Sequence, residues 1–390
     1  MNMPWKLARQ TARDAAKPLD AVELPLPDSL GLALASAVRA LTSQPTCDTS
    51  AMDGYAERGA GPWTVVGRVA AGEQIPRTFS RPGDTTPVLQ PGEAFGVATG
   101  ALVPPGTESV VPVEHCVLDG TTLHHSSIQP PGKHIRRRGE DWSAGDELIP
   151  AGSLITPAVL GLASAAGHDT ILAHRRPRVA VIVTGDELLH SGPPTPGRVR
   201  DAIGPMLPGL LTRADLLGTT YLRDDPTALA DALTHDGADV LVTCGATSKG
   251  PADHLRSVLQ DLGAEILVSG VACRPGHPML LATLPDGRCV VGLPGNPFAA
   301  YAAVLTLLHP LLDTLGGHAP KPEITAHLND VSAHPNDTRL IPVTRTGNTA
   351  HPVGHDRPGS LWGAALADAL AVVPPGHEGG EAELISGNAS

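Results

Sequence analysis

The chain has 390 residues, with 40 acidic and 28 basic side chains and a net charge of −12 at pH 7. This acidic balance excludes a general nucleic-acid-binding protein, because that class depends on a basic surface. At roughly 100–200 residues per domain, the length predicts two to four domains.

The cysteines and the hydropathy pattern predict a soluble cytoplasmic protein that binds neither nucleic acid nor membrane. None of the five cysteines forms a C-x-x-C pair, which argues against structural zinc, and their scattered, odd number is typical of a reducing compartment. The N-terminus lacks the apolar core of a secretory signal. No run of about 18 apolar residues is evident.

Residues 5–44 are predicted to be helical, since Ala-rich stretches such as 30–42 carry Leu and Val at helical spacing. Pro45 is predicted to end that helix. Short β-type runs between Gly/Pro turns follow over 46–139, and 140–175 again has a helical composition. The pattern predicts a helical domain (1–45 plus 140–176) that is interrupted by an inserted β-rich domain (46–139).

Residues 177–317 are predicted to form an α/β domain. Apolar runs at 178–183, 238–243, 265–268 and 289–292 are typical of buried strands, and helical stretches at 203–216, 251–262 and 297–315 alternate with them. We expect a parallel sheet whose strand ends meet at one ligand-binding edge. The last part, 318–390, is predicted to be a β domain.

The segment Asp48-Thr49-Ser50-Ala51-Met52-Asp53-Gly54-Tyr55-Ala56 combines two carboxylates with turn-forming residues. Gly54 is expected to take backbone angles closed to other residues, so that the chain turns sharply beside an outward-pointing Asp53. An isolated D-G pair is more often an ordinary turn into a strand.

Two motifs follow predicted strands of the α/β domain. Thr184-Gly185-Asp186-Glu187-Leu188 offers adjacent acids that can hold Mg²⁺ or move a proton, although acids also favour helix starts. The loop 243–253, which reads T-C-G-A-T-S-K-G-P-A-D, has small residues through which amides can approach a phosphate. It is not a Walker A loop, and an ordinary helix-capping loop is the alternative.

Three further segments carry charge or glycine. Arg274-Pro275-Gly276-His277-Pro278 places cationic or protonatable groups around a turn and can clamp an anion, or else be a solvated turn. Gly292-Leu293-Pro294-Gly295-Asn296-Pro297 joins a strand to a helix. His134-Ile135-Arg136-Arg137-Arg138-Gly139-Glu140-Asp141 contains three consecutive arginines, a run that is normally a solvated face.

Together with Ala98-Thr99-Gly100-Ala101, these ordered motifs resemble the molybdopterin molybdotransferase family (bacterial MoeA and the gephyrin E domain) from about residue 5 to the C-terminus. The resemblance implies insertion of molybdate into adenylylated molybdopterin with release of AMP, assisted by Mg²⁺. It also implies a multidomain fold: a helical linker domain with an inserted β domain, a three-layer α/β molybdopterin-binding domain and a C-terminal barrel-like β domain, in an elongated homodimer.

The resemblance assigns roles to particular residues. Asp53, Thr99 and the Arg136–Asp141 segment would reach the partner subunit's active site, which would lie at the subunit interface. Catalytic residues would be Asp53, Asp186, Glu187, Asp201 and Asp253, and metal ligands Asp186, Glu187 and Asp201. Substrate-binding residues would be Thr99, Gly100, Arg136, Arg137, Asp141, Gly185, Ser248, Lys249, Gly250, Arg274, Gly276, His277, Pro294, Gly295 and Asn296. Contacts with the molybdopterin adenylyltransferase and with apo-molybdoenzymes are also implied.

Departures from the family pattern leave two alternatives open. The usual D-S-N reads Asp201-Ala202-Ile203, S-G-G-V-S reads C-G-A-T-S, K-P-G-K-P ends in His277-Pro278, and the serine often found after N-P is Ala299. The main carboxylates remain, whereas several polar contacts do not, which is typical of a divergent, actinobacterial-type paralogue. A catalytically impaired scaffold or carrier of pterin is one alternative, and an α/β hydrolase acting on another nucleotide-linked pyrophosphate is the other.

Overall fold

The computed structural model of the protein describes residues 2–76, 88–125, 129–234, 237–245, 247, 254–329 and 331–387. The chain divides into two compact units, which are a larger one (1–36, 151–156 and 170–390) and a smaller one (37–150 and 157–169). The predicted four-part division, with boundaries at 45, 139, 176 and 317, stays a prediction.

A six-stranded sheet forms the centre of the larger unit. In spatial order its strands are Asp215–Leu222, Arg178–Thr184, Val240–Cys244, Cys289–Leu293, Leu280–Thr283 and Glu265–Ser269. The first four run parallel to one another, and the last two join through antiparallel pairings. The prediction of a purely parallel sheet is therefore wrong at this edge, where a strand over 280–283 was missed. The strand over 215–222 was also missed, and only its first two residues fall within the helical stretch predicted over 203–216.

Helices cover both faces of this sheet, because alternate strand residues point to opposite sides. Val179, Val181 and Val183 pack into one core together with the helices Ile203–Leu210 and Pro297–Ala303, and Ile182 packs into a second core with the opposite helices. The opposite helices are Pro226–Thr234 and Leu255–Asp261. The predicted three-layer α/β arrangement is confirmed.

A single apolar helical segment runs through the core of the larger unit. It consists of the helices Pro297–Ala303 and His309–Leu315 joined by a π-helical turn over Val304–Leu308. Among the described residues it is the helix long and apolar enough to cross a membrane, with a mean hydropathy of 1.4. Its length and composition alone therefore do not exclude a membrane-spanning helix, although the sequence was expected to contain no such run. However, 78% of the segment is buried inside the protein. That burial is typical of a core helix.

The C-terminal strands close into a barrel. The sheet runs in the order Thr338–Thr346, Thr349–Pro352, Ile324–Leu328, Gly380–Ile385 and Ala369–Val373, and the last strand pairs back with the first. Its interior is small and aliphatic, with Leu328, Val343 and Val373 among its buried side chains. Val271–Arg274 and Met3–Pro4 extend the sheet beside Thr338–Thr346. The expected barrel-like C-terminal region is confirmed.

The N-terminal part of the chain is mostly extended rather than helical. Only Trp5–Asp14 forms an α-helix within 5–44. The strands Ala21–Pro25 and Ala33–Leu34 both pair with Thr170–His174, from later in the chain, and the 3₁₀ turn Leu26–Ser29 lies between them in sequence. The helix predicted over 30–42 is wrong, and so is the role given to Pro45. Backbone pairing with Thr170–His174 overrides the helical propensity of the alanines. The larger unit also contains Leu188–Leu189, Val199–Arg200 and the short helix Trp362–Leu366.

The smaller unit is built on a mixed six-stranded sheet. Its order is Val117–Asp119, Thr122–His124, Trp63–Val69, Glu93–Val97, Gly54–Glu57 and Ser109–Pro112. Two short ladders pair Thr49–Ser50 with Ile135–Arg136 and Val38–Arg39 with Glu147–Ile149. The 3₁₀ turn Val113–His115 and the helix Pro157–Ala165 complete the unit. The β-rich texture predicted for 46–139 is confirmed, whereas the helical texture predicted for 140–175 holds only for 157–165.

A charged cluster fixes the amino end of the central sheet. Arg175 donates two hydrogen bonds to Asp239, of 2.7 and 2.8 Å, and the Arg178 amide donates a third of 2.7 Å. Burial acts to raise the pKa of the Asp239 carboxyl, but these donors outweigh it and hold that pKa below its ordinary value. The cluster therefore ties the start of strand Arg178–Thr184 to the residue before Val240–Cys244.

We expect Asp239→Asn to lower the free energy of unfolding of the larger unit by about 1–3 kcal/mol at neutral pH, since it weakens charge-assisted hydrogen bonds. A carboxyl whose pKa is lower in the folded than in the unfolded protein stabilises the fold fully above its unfolded-state pKa of about 4. This stabilisation is lost as the pH falls through the folded-state pKa. Urea unfolding should show the wild-type advantage shrinking below about pH 4. Asp261→Asn, at an exposed carboxyl of the same unit, is the matched control and should cost about 0.5 kcal/mol or less. A pH-independent difference for Asp239→Asn would contradict this account.

Candidate functional site

The ends of three parallel strands bring three of the predicted motifs together. Strands Arg178–Thr184, Val240–Cys244 and Cys289–Leu293 are neighbours in register, with Val183 opposite Cys244 and Cys244 opposite Leu293. The loops that follow them are in contact. We call this group of loops the carboxyl edge, and it is the place where parallel α/β sheets bind ligands.

Glycines let these loops approach one another closely. Gly245 donates its amide to the Leu293 carbonyl at 3.1 Å and has φ +94°, and a Cβ there would lie 3.0 Å from the Thr184 carbonyl oxygen. Gly185 also has a positive φ, of +145°. A Cβ on Gly295 would meet only the Gly245 Cα, at 3.9 Å. The surface of the carboxyl edge is therefore largely backbone, which suits a ligand that accepts hydrogen bonds from amides.

The remaining residues of the G-L-P-G-N-P loop differ in exposure. Pro294 is buried, whereas Gly295 and Asn296 are exposed. The helix that begins at Pro297 receives a cap from elsewhere in the larger unit, because the Phe298 amide donates to the Pro358 carbonyl at 2.9 Å. Pro294 thus has a packing role, and the next two residues are the ones placed to meet a ligand.

Asp186 and Glu187 lie on a loop whose backbone is fixed while their carboxylates are exposed. The Asp186 amide donates to Asp224 Oδ2 at 3.2 Å, and the Glu187 carbonyl accepts from Arg198 Nε at 3.2 Å. The loop leads into the strand Leu188–Leu189 rather than into a helix. The alternative of a helix-capping role is therefore excluded for these acids.

Asp201 is buried, with 7% of its surface exposed, and caps the helix Ile203–Leu210. Its Oδ1 accepts from the amides of Ile203 and Gly204, both at 3.0 Å. Its Oδ2 is buried and lies near the Tyr221 hydroxyl. The neighbouring Tyr221 has its pKa raised, first by burial and then by the Asp201 carboxylate. The Asp201 side chain therefore has a structural role, and its second oxygen faces Tyr221.

The three carboxylates proposed as metal ligands do not form a preformed metal cluster. Over the part of the chain that the structure describes, no group of three or more His, Cys, Asp or Glu side chains is placed to hold a metal ion. Two exposed carboxylates are nevertheless compatible with Mg²⁺, which commonly takes one or two protein carboxylates and completes its shell with water and substrate phosphate. The donor set at Asp186 and Glu187 fits that mode, whereas a cage made by the protein alone does not fit.

The turn after strand Val271–Arg274 packs beside the start of the long helix. Gly276 has φ +110°, and a Cβ there would lie 2.7 Å from Met279 Cε and 3.5 Å from the Ala299 carbonyl oxygen. Arg274 Nε donates to Asp337 Oδ2 at 2.8 Å, and 63% of the Arg274 side chain remains exposed. The side chain of His277 contacts Asn2. The predicted clamp is thus a partly neutralised arginine and an exposed histidine.

Four predicted residues of the Gly/Ser loop, Ser248, Lys249, Gly250 and Asp253, lie outside the described residues.

In the smaller unit, Asp53 is tied to the predicted Thr99-Gly100 turn. Asp53 Oδ1 accepts hydrogen bonds from the Thr99 amide at 2.7 Å and from Thr99 Oγ1 at 3.1 Å. Gly100 has φ +79°, and its amide donates to the Ser50 carbonyl at 2.8 Å. Asp53 itself is exposed. The two motifs therefore present one carboxylate and one hydroxyl on a shared surface.

The arginine-rich segment pairs with the strand Thr49–Ser50 and contacts Asp48 just before it. Arg137 Nη1 donates to Asp48 Oδ2 at 2.6 Å and the Arg138 amide donates to Asp48 Oδ1 at 2.9 Å. Partial burial acts to raise the pKa of Asp48, but these two donors hold it below its ordinary value. Arg136 pairs with Asp141. The segment thus contains two ion pairs, Arg137–Asp48 and Arg136–Asp141, rather than a row of unpaired cations.

The glycine of the D-G pair is required for a reason other than the predicted one. Its φ lies outside the left-handed region, so the expected unusual backbone angles are wrong. A Cβ on Gly54 would instead lie 1.9 Å from the Val111 carbonyl oxygen of the neighbouring strand. Close strand approach, not a sharp turn, excludes a side chain at this position.

We expect Gly54→Ala to lower the free energy of unfolding of the smaller unit by about 2–4 kcal/mol, since the added methyl group clashes with backbone that cannot move alone. Gly120→Ala is the matched control in the same unit, because Gly120 has φ +62° but open space around it. The control should cost about 1 kcal/mol. Chemical denaturation of both variants measures the difference, and equal costs would contradict the explanation by strand contact.

Three side chains at these sites were missed in the sequence. Asp337 pairs with Arg274, Asp224 accepts from the Asp186 amide, and Tyr221 lies beside Asp201. Asp224 and Tyr221 could have been found if the strand over 215–222 had been recognised, since both lie at or just beyond its carboxyl end. Asp337 precedes a barrel strand, and no sequence signal connects it to Arg274.

Models of three domain families match the chain in order. They are the MoeA N-terminal region (domain I and II) over residues 3–167, a probable molybdopterin binding domain over 180–314 and the MoeA C-terminal region (domain IV) over 327–383. The carboxyl edge falls within the second of these, and Asp53 falls within the first.

Individual relatives agree with these matches. The chain is 30% identical over 376 residues to the molybdopterin molybdenumtransferase of Nostoc sp., covering 89% of this chain and 83% of that protein. It is 36% identical over 311 residues to molybdopterin molybdenumtransferase 2 of Mycobacterium tuberculosis, covering 75% and 74%. The crystal structure of the molybdopterin biosynthesis MoeA protein from Pyrococcus horikosii superposes with a TM-score of 0.80 at 25% identity and 100% coverage of both chains. The similarity thus extends over both units.

Proposed function

The chain belongs to the MoeA family of molybdopterin molybdenumtransferases, and we propose that it transfers molybdenum from molybdate to adenylylated molybdopterin with release of AMP. Membership makes it a transferase of molybdenum cofactor biosynthesis. The identity of the pterin substrate, the leaving AMP and the roles of individual residues are the proposed part.

The observation that carries the proposal is the carboxyl edge, where backbone-lined glycine loops adjoin the exposed carboxylates of Asp186 and Glu187. Cleavage of an adenylate moves negative charge onto phosphate oxygens, and preorganised amide donors stabilise such charge. A carboxylate beside them can accept or return a proton during hydrolysis or transfer. An edge with amide donors but no carboxylate beside them would support binding of a phosphate but not turnover.

Residues of the larger unit take the following roles in this proposal. The amides of Gly185 and Gly295 bind phosphate oxygens, Gly245 lets the neighbouring loops pack closely, and Asn296 orients the substrate. Arg274 and His277 attract molybdate, which is a dianion and needs a cationic group to offset the acids nearby. Asp337 holds the Arg274 guanidinium in place through its 2.8 Å hydrogen bond.

Magnesium is proposed as the metal cofactor, held by Asp186 and Glu187 together with phosphate oxygens of the substrate. When bound, it supplies charge neutralisation at the pyrophosphate. The buried Oδ2 of Asp201 is the third protein oxygen offered to it in this proposal. Ser248, Lys249, Gly250 and Asp253 stay predicted members of the site.

We propose further that the active protein is a homodimer in which the smaller unit of one subunit completes the other subunit's site. The partly exposed Arg136 and Arg137 offer cationic donors to an anionic substrate, and the Asp53 and Asp141 carboxylates with the Thr99 hydroxyl complete this polar surface. The protein is proposed to act in the cytoplasm, where it receives substrate from the molybdopterin adenylyltransferase and delivers product to apo-molybdoenzymes.

A second candidate function is a carrier that binds pterin without inserting metal. The observation that favours it is the state of the predicted anion clamp, in which Arg274 is paired with Asp337 and a histidine replaces the second lysine. A carrier would bind the pterin without releasing AMP.

The two candidates separate in one assay with the full-length protein. Adenylylated molybdopterin is supplied with molybdate and Mg²⁺, and AMP is quantified by chromatography over time. The transferase predicts AMP in excess of the protein concentration, dependent on both molybdate and Mg²⁺. Tight pterin binding with no AMP formed would overturn the transferase proposal and establish the carrier.

A further inference from the structure

A cleft of about 370 Å³ in the larger unit has more basic than acidic side chains in its lining. It lies between the helix Trp5–Asp14, the C-terminal half of the long core helix and the barrel. We call it the basic cleft. Its five cations are Lys6, Arg9, Arg13, Arg213 and Lys321, and its three acids are Asp313, Glu323 and Glu383. The lining is therefore positive by two charges in a protein whose net charge is −12.

One wall of the cleft is held rigidly. The Arg9 guanidinium carbon lies 5.0 Å from the centroid of the Trp5 ring, and Arg9 Nη1 donates to the Leu305 carbonyl at 2.6 Å. Trp5 is buried, and its Nε1 donates to Thr306 Oγ1 at 3.0 Å. Because both partners are fixed, the guanidinium is presented in one orientation, and a ligand would not have to order it.

The acids of the cleft do not fully balance its cations. Asp313 forms an ion pair with Arg213, with 2.5 Å between Asp313 Oδ1 and Arg213 Nη1. Burial, followed by the neighbouring Glu323, raises the pKa of Glu383 against the opposing effect of Arg9. Burial is also the main factor that lowers the pKa of Lys321, and Arg213 adds to that effect. The cations thus lie close enough to repel one another in a partly dehydrated space, a situation that a bound anion relieves.

The basic cleft is separate from the carboxyl edge of the larger unit. The long helix begins at Pro297, next to the glycine loop, whereas the residues that it contributes to the cleft run from Leu305 to Thr314. At 1.5 Å per residue these positions lie about 12–26 Å further along the helix axis. A ligand in the cleft therefore does not occupy the phosphate-binding loops proposed above.

We propose that the basic cleft is a second anion-binding site, which takes a small, multiply charged oxyanion, either a phosphomonoester or an inorganic tetrahedral dianion. Guanidinium groups bind such oxyanions through paired hydrogen bonds. At ~30 Å³ per water, the cleft has room for on the order of ten waters, enough for an oxyanion with an attached organic group. The proposal does not depend on the transferase activity.

Titration calorimetry on the full-length protein at constant ionic strength tests the site with inorganic phosphate, molybdate and AMP as separate probes. The cleft variant Lys6→Gln/Arg13→Gln is compared with Lys17→Gln/Arg345→Gln, which removes two exposed charges outside the cleft. We expect the cleft variant to weaken binding of at least one probe by about tenfold, a difference of 1.4 kcal/mol, and the control to leave it within twofold. AMP binding alone assigns a phosphomonoester, and binding of phosphate and molybdate assigns an inorganic dianion.

A third protein, Arg274→Gln, separates the cleft from the carboxyl edge and should retain the cleft-dependent binding. Thermal melts check that each variant is folded. If the double variant is destabilised, the single variant Lys321→Gln replaces it and should also weaken binding of the probe. The proposal is overturned if the wild-type protein binds none of the three probes at millimolar concentration. It is equally overturned if cleft and control variants bind alike, or if Arg274→Gln alone removes the binding.

Discussion

Replacing Glu187 by Gln is expected to lower the rate of AMP release by about 100-fold or more, because positioned acid–base groups typically contribute 10²–10⁴-fold. Gln has nearly the same shape but neither accepts a proton nor binds Mg²⁺ as a carboxylate does. The Glu187 side chain is exposed and its loop is fixed through backbone contacts, so the fold should not change. Steady-state AMP release, measured with saturating molybdate and Mg²⁺, gives the ratio.

The matched control is Glu378→Gln, an exposed acid of the same unit that lies outside the site. Its rate should stay within twofold of wild type, and both variants should keep the wild-type Tm. If Glu187→Gln retains the wild-type rate, the acidic site has been placed on the wrong residues. If both variants lose activity equally, the effect is one of overall charge rather than of the carboxyl edge.

Asp53→Asn is expected to be nearly inactive by itself and yet to regain activity when mixed with Glu187→Gln. Asparagine can still accept the two hydrogen bonds from Thr99, so the local structure should remain while the charge is lost. If each site combines Glu187 of one subunit with Asp53 of the other, a mixed dimer holds one intact site. Random reassociation should then restore about a quarter of wild-type activity, since about half of the dimers are mixed and each works at half capacity.

The measurement is AMP release after the two inactive variants have been mixed, dissociated and reassociated, with each variant treated alone as the control. Recovery to about a quarter supports sites shared between subunits. Complete lack of recovery, with mixed dimers demonstrated by differently tagged chains, would show that Asp53 and Glu187 act within one subunit. Wild-type activity of Asp53→Asn alone would show that Asp53 has no part in the reaction.

Most of the α/β architecture could be predicted because its strands are continuous apolar runs. Arg178–Thr184 and Val240–Cys244 are buried on both faces, which leaves little alternative to a central position in a parallel sheet. The strand Asp215–Leu222 was missed because it lies at the sheet edge, where none of its residues is fully buried and Gly218 and the neighbouring threonines dilute the apolar signal. Edge strands are specified by their neighbour more than by their own sequence.

The N-terminal region shows the opposite case. Alanine and leucine over 30–42 favour a helix locally, yet Ala33–Leu34 pairs with Thr170–His174, which is more than 130 residues away. No local pattern reports such a partner. The same limit applies to Asp337, whose hydrogen bond to Arg274 joins segments 63 residues apart.

The position of a motif in the fold could be predicted best where the motif follows a buried strand. The strand ends meeting at one edge followed from the topology, and the structure places Gly185, Gly245 and Gly295 there. Distances between carboxylates could not be predicted, because they depend on loop conformation. Asp201 illustrates this, since a residue assigned to the metal from its motif caps a helix through Oδ1.

Reconstitution of an apo-molybdoenzyme tests the central claim most directly. Purified protein is incubated with adenylylated molybdopterin, Mg²⁺ and molybdate, and the acceptor enzyme's activity is measured beside a Glu187→Gln reaction. The account predicts molybdate-dependent activation by the wild-type protein and little or none by the variant. Activation that is equal with and without the protein, or equal for wild type and variant, would contradict molybdenum transfer at the carboxyl edge.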